Sequence, residues 1–141
     1  MQLTRLIYAS THDEMTFEAI DHILQRSRAN NERDGITGAL VVSDQNFMQL
    51  LEGDRTAVAK CFMRIMQDDR HRDIQIISVG DAKDRFFHEW SMHLIKASRI
   101  KDDILSRYLI DGAFDPARMS EFAIRDLCRA LSAGDWDKLA A

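Results

Sequence analysis

The chain predicts an α+β fold, a ferredoxin-like βαββαββ order giving a five-stranded mixed sheet with two helices on one face and C-terminal helices on the other. Three observations carry this expectation. Short segments rich in β-formers alternate in polarity, which is the period of a half-buried strand. Between them run apolar stripes recurring every three and four residues, the period of an amphipathic helix. One polar connection, Ser43-Asp44-Gln45-Asn46, is short enough to force its flanking strands into an antiparallel hairpin.

Residues Leu3 to Ala9 alternate, so Thr4, Leu6 and Tyr8 share one face of a first strand and Arg5 and Ile7 the other. Thr16 is a natural N-cap with Glu18 in the first turn, and Phe17, Ile20, Ile23, Leu24 and Ser27 form the buried stripe of a helix. Carried on to Asn30 and Asn31 the stripe turns polar. An unpaired group there would cost about 1–3 kcal/mol, so a hydrogen-bonding partner is expected. Ile36 to Val42 and Asn46 to Glu52 are the hairpin strands, with Phe47, Gln49 and Leu51 on one face, an amide between two large apolar neighbours. Gly53-Asp54 closes the hairpin and caps a second helix with the stripe Val58, Cys61, Phe62 and Ile65, before a polar exit from Gln67 to Arg72.

Ile74 to Val79 and Trp90 to Ile95 supply the last two strands. In the second of these Trp90, Met92 and Leu94 share one face, and Ser91, His93 and Ile95 the other. A helix around Ile104, Leu105, Tyr108 and Leu109 follows, then one beginning at Asp115-Pro116, where Asp suits the N-cap and Pro the first helical position. That last helix carries Met119, Phe122, Ala123, Ile124, Leu127, Cys128 and Leu131. Such a surface is wider than one stripe, which predicts that the helix lies on the sheet and also meets another chain.

With 141 residues and 45% apolar content the chain can bury one core. Its 19 Lys and Arg against 23 Asp and Glu give a net charge of −4 with no basic block, which argues against nucleic acid as a partner. No apolar run approaches the roughly 18 residues of a membrane helix and no signal-peptide pattern opens the chain, so the expected localisation is cytoplasmic, with no membrane partner. The histidines at 12, 22, 71, 88 and 93 lack metal-ligand spacing, and Cys61 and Cys128 sit within apolar stripes as packing residues, so no metal site is expected. A Gly-x-Ser-x-Gly elbow, a phosphate-cradling loop and a Gly-x-Gly-x-x-Gly fingerprint are all missing from the sequence.

Taken singly, Tyr8 reads as a core tyrosine, Gln49 as an edge-strand amide and Asn31 as a helix-ending residue. Together they are a phenol, a flippable amide and an asparagine beneath one helix stripe. That set makes a hydrogen-bonding edge for a flat heteroaromatic ring, with Phe47, Ile23 and Leu40 as walls.

Tyr8-x-Ser10, Asn31, Ile36-Thr37-Gly38, Phe47-x-Gln49-x-Leu51-Glu52-Gly53, Arg70-His71 and Trp90-x-Met92 together resemble the blue-light-using flavin photoreceptor domain, BLUF, over about residues 1–95. The resemblance implies a flavin-binding core over residues 1–96 and a helical extension over 97–141. It implies non-covalent FAD, with FMN or riboflavin as the other flavins such a site would take, its ring lying between the two helices. Asn31 would bind the C4 carbonyl and N3 edge, with Asn30 and Ser27 near the pyrimidine side and Arg70 and His71 beside the ring and ribityl chain. Asp68 would orient those last two, a solvated helix exit being its plainer reading.

The resemblance also gives Tyr8 the role of photochemical electron and proton donor, and Gln49 that of a switch that rotates or tautomerises. Trp90 and Met92 would relay the change to the C-terminal helices, and from there to a homo-oligomer interface or a separate effector protein, no output enzyme being expected in this chain. Two other functions compete. A flavin-free ferredoxin-like adaptor has no need for Tyr8, Asn31 and Gln49 together, and a dark-acting flavin reductase would need a nicotinamide site that the sequence does not offer.

Overall fold

The computed structural model describes residues 2–88, 92–134 and 136. Its strands are β1 (Leu3–His12), β2 (Thr37–Val42), β3 (Asn46–Asp54), β4 (His71–Asp81) and β5 (His93–Lys96), interleaved with helices α1 (Phe17–Asp34) and α2 (Arg55–Met66). They form one sheet in the order β4-β1-β3-β2-β5. All neighbours are antiparallel except β2 and β5, which makes the sheet mixed as expected. Trp90 and Ser91, expected to open the last strand, and the side chain of Phe17 lie outside the described residues.

Local chemistry sets the element ends. Thr16 Oγ1 accepts from the Ala19 N–H at 3.2 Å to start α1, and Gly35, at φ 70°, ends it in the left-handed region. Asp54 Oδ2 accepts from the Thr56 N–H at 3.1 Å to start α2. Gly38 serves a different need: a Cβ there would lie 1.8 Å from the Leu50 carbonyl oxygen, so β2 can pair with β3 only without a side chain at that position.

Period two sorts the core into two layers. Leu6, Tyr8, Leu40, Phe47, Leu51 and Met92 pack under α1 and α2, against Ile20, Leu24, Val58 and Phe62. Ile7, Val41, Met48, Leu50 and Ile95 pack on the opposite side against the C-terminal elements. Each of these apolar side chains contributes roughly 1.5–3 kcal/mol when fully buried. One charge is also buried among them. Glu52, fully enclosed, accepts from Arg5 Nε at 2.8 Å, from the Phe86 N–H at 2.9 Å and from the Phe87 N–H at 3.1 Å. Arg5 in turn covers the Phe86 ring at 3.7 Å from its centroid. This knot ties the β4–β5 connection to the sheet.

Three expectations need correction. The polar exit from α2 is shorter than read, because β1 runs on to His12 and offers pairing partners to His71 and Arg72, which belong to β4. The helix expected around Ile104–Leu109 is only a single turn, α3 (Asp102–Leu105); a bend with Asp111 and Gly112 at positive φ follows, closed by a bridge between Ile110 and Ala113. The final helix, α4 (Glu121–Ser132), begins later than Asp115-Pro116. Pro116–Arg118 form a 3-10 turn with no side-chain cap from Asp115, and Met119 is extended. Ser120 is the working cap, its Oγ accepting from the Ala123 N–H at 3.1 Å. In α4 Ile124, Leu127, Cys128 and Leu131 are buried, while Phe122 alone of the wide surface is strongly exposed, at 79%.

The outer strand β4 is irregular. Its register against β1 shifts between Ile7 and Tyr8 and again between Ala9 and Thr11, with Asp73 at φ 54° beside the second shift.

Candidate functional site

Tyr8 and Gln49 are direct cross-strand partners in the β1–β3 ladder, and Leu40 stands opposite Gln49 on its other side. The ladder alone therefore brings phenol and amide together. Both are buried, and the Tyr8 hydroxyl donates to Gln49 Oε1. Gln49 Nε2 donates to the Met92 sulfur at 3.4 Å. Burial pushes the Tyr8 phenol well above its ordinary pKa, helped by Cys61 and Asp68, so the hydroxyl stays protonated as a donor.

Above this pair, between α1 and α2, lies a cavity of about 300 Å³. Its floor is Tyr8, Leu40, Phe47 and Gln49; α1 supplies Ile23, Ser27, Asn30 and Asn31; the exit of α2 supplies Asp68 and Arg70, and the start of β4 supplies His71. Every cofactor-binding position expected from the sequence thus lines one space. Cys61 and Arg64 on α2 and Arg26 on α1 also line it. Cys61 was expected to be a packing residue only; its i, i+3 spacing with Arg64 was the signal that both reach the cavity.

The polar walls are held in place. Asn31 is buried, and its Oδ1 accepts from the Cys61 thiol at 3.6 Å, a thiol that burial keeps protonated by raising its pKa. Its carbonyl accepts from the Ile36 N–H at 2.9 Å, which joins α1 to β2. Asp68 binds Arg70 through the backbone N–H at 3.0 Å, through Nε at 2.8 Å and through Nη2. The adjacent guanidinium holds the Asp68 carboxyl below its ordinary pKa. His71 Nε2 lies 2.9 Å from the Ile65 carbonyl and Nδ1 lies 2.7 Å from the Ser10 hydroxyl. A carbonyl only accepts, so Nε2 carries a proton toward Ile65, and the Ser10 hydroxyl, which can donate or accept, partners Nδ1.

The donor set suits a flat heterocycle with an anionic tail. Amides at Asn31 and Gln49 offer both donors and acceptors to the cavity, Ile23, Leu40 and Phe47 give apolar walls, and Arg26, Arg64 and Arg70 add exposed cations to its lining. No cluster of metal-binding side chains occurs among the described residues, and no described helix is long and apolar enough to cross a membrane.

A family model for BLUF, sensors of blue-light using FAD, matches residues 3–93. The chain belongs to the BLUF family. As a BLUF protein it is a blue-light receptor that binds flavin, and the BLUF module is a sensor with no catalytic activity of its own. The photoactivated adenylate cyclase subunit beta of Euglena gracilis is 32% identical over 92 residues, covering 64% of this chain and 11% of the cyclase subunit. The blue light- and temperature-regulated antirepressor BluF of Escherichia coli K12 is 31% identical over 112 residues, covering 78% of this chain and 28% of the antirepressor. The chain thus spans under a third of either curated relative. Among solved structures, the photo-activated state of BlsA superposes with a TM-score of 0.85 at 26% identity, covering 97% of this chain and 99% of that one.

Proposed function

We propose that this BLUF chain binds FAD in the cavity between α1 and α2, and that Tyr8 and Gln49 convert blue-light absorption into a hydrogen-bond change read out through Met92. The observation that carries it is the continuous chain from the Tyr8 hydroxyl to Gln49 Oε1 and from Gln49 Nε2 to the Met92 sulfur. When bound, the flavin supplies the blue-light absorption and, once excited, a strong oxidant. Tyr8 is the buried group able to give up an electron and then a proton, its neutral phenol being enforced by burial. Gln49 receives the changed hydrogen bond at Oε1 and answers by rotating or tautomerising. Rotation would turn Oε1 toward Met92, and a thioether donates nothing to an oxygen. The Met92 side chain is then displaced.

Asn31, Asn30 and Ser27 hold the cofactor edge on the α1 side, and Arg70 and His71, steadied by Asp68, hold the other. FAD is the flavin that the family description names, and Arg26 and Arg64, which also line the cavity, suit the anionic tail that riboflavin lacks. Residues 1–96 form the sensing core and 97–141 the output layer, which passes the signal to a second copy or to a separate effector protein in the cytoplasm. One redirected hydrogen bond contributes about 0.5–1.5 kcal/mol, so output is a population shift of roughly tenfold. Gln49→Leu tests the cycle: it keeps volume and flavin but removes the switching group, and the light-induced red shift of the visible spectrum should vanish. A fully reversible shift in that variant overturns the role of Gln49.

A further inference from the structure

Arg28 lies on α1 one residue past Ser27, and its Nε–H donates to the Met92 carbonyl oxygen at 3.1 Å, a contact across 64 residues of sequence. The cycle above makes no use of it. Met92 is therefore held at both ends, its sulfur by Gln49 Nε2 at 3.4 Å and its carbonyl by Arg28. The residue is fully buried and stands immediately before β5, whose first pair is Ala39 with His93. The two ties differ in strength. A guanidinium donating to a carbonyl is charge-assisted and roughly twice as strong as a neutral hydrogen bond, whereas a thioether is a weak acceptor. The stronger tie belongs to α1, the helix that also lines the cavity with Ser27 and Asn31.

We infer that Arg28 is a positioning residue that anchors the Met92 backbone beside Gln49 and so sets the speed of return to the dark state. The inference rests on the proposed cycle, in which Gln49 rearranges. Rearrangement alters the hydrogen that Nε2 presents to the Met92 sulfur, and the weak tie breaks. With Arg28 in place the backbone carbonyl stays anchored, so the excursion is limited to the side chain and its reversal is a local motion. Without Arg28 the start of β5 can follow the side chain. Return then requires the strand end to be repositioned against β2, and the lit state persists longer.

Two substitutions separate the hydrogen bond from the charge. Arg28→Met keeps length and apolar packing but has no donor; Arg28→Gln places an amide N–H the same number of bonds from Cα as Nε, without the positive charge. In flavin-loaded full-length protein, Arg28→Met should retain the light-induced shift and slow dark recovery by about tenfold, a factor equivalent to roughly 1.4 kcal/mol. Arg28→Gln should recover within about threefold of the unsubstituted protein, a loss of under 1 kcal/mol. The dark-state methyl resonance of Met92, assigned by its loss in Met92→Leu, should move in Arg28→Met and stay in place in Arg28→Gln. Wild-type recovery in Arg28→Met, or equal slowing in both variants, overturns the anchor while leaving the cycle intact. A flavin-loaded unsubstituted protein with no reversible shift overturns the cycle, and the anchor with it.

Discussion

On β3, Phe47, Gln49 and Leu51 face the two helices while Met48, Leu50 and Glu52 face the C-terminal layer, and the polar residue on each side has a different kind of neighbour. Gln49 gives its amide N–H to a thioether, and on the same side Asn31 accepts from a thiol. Sulfur makes weak hydrogen bonds, so these contacts orient the amides and are readily exchanged. Glu52, three residues along, meets a guanidinium and two backbone N–H groups within 3.1 Å. A buried carboxylate so fully satisfied is built to stay. One strand thus serves two ends: a soft sulfur partner at the Gln49 N–H on the face that must switch, hard partners on the face that must hold the β4–β5 connection while it does.

Removing the hard partner should have the largest effect. Glu52→Ala leaves Arg5 without its buried counter-charge, and losing one member of such a pair costs about 3–5 kcal/mol, read as a lower urea midpoint. A loss below 1 kcal/mol would erase the distinction between the faces. The tyrosines, one in each layer, give a smaller and pH-dependent contrast. Burial raises both phenols, Tyr8 furthest, and Tyr108 to about 12 by burial and its bond to Asp126. Because the folded values lie above the unfolded value of about 10, this stability is fully present below pH of about 10 and is lost as pH rises through the folded values. Ultraviolet titration should find neither tyrosinate at pH 10 and Tyr108 ionising first. Tyr8→Phe, leaving a single signal, checks the assignment. The smallest effect belongs to Phe122, the exposed aromatic of α4: Phe122→Ser should change monomer stability by no more than about 0.5 kcal/mol. A larger loss would show that the ring has a buried neighbour.

The strand faces were legible because alternation is a local property, and the Tyr8–Gln49 pair followed because amide and phenol stood out on apolar strands. The C-terminal layer was harder. Asp115-Pro116 and Ser120-Glu121 are both good helix starts, and only packing of Ile124 and Leu127 against the sheet decides between them. The short α3 had the same cause: an apolar spacing of four suggested a helix, while Asp111-Gly112 turned the chain away. Arg28 was invisible for a different reason. A surface-type residue on a helix gives no sign that its partner is a carbonyl 64 positions away. Cys61 looked like filler because a thiol on an apolar stripe usually is.

The uneven register of β4 bears on how the molecule behaves in a crowded solution. An outer strand of 11 residues with Ile76 and Val79 exposed is, by composition, an invitation to edge-to-edge stacking. Two breaks in its ladder and the turned backbone at Asp73 keep that edge from lying flat, so a neighbour's strand finds no long run of matching hydrogen-bond groups. The same irregularity that would count as imperfect pairing inside the sheet acts at its margin as protection against fibre growth.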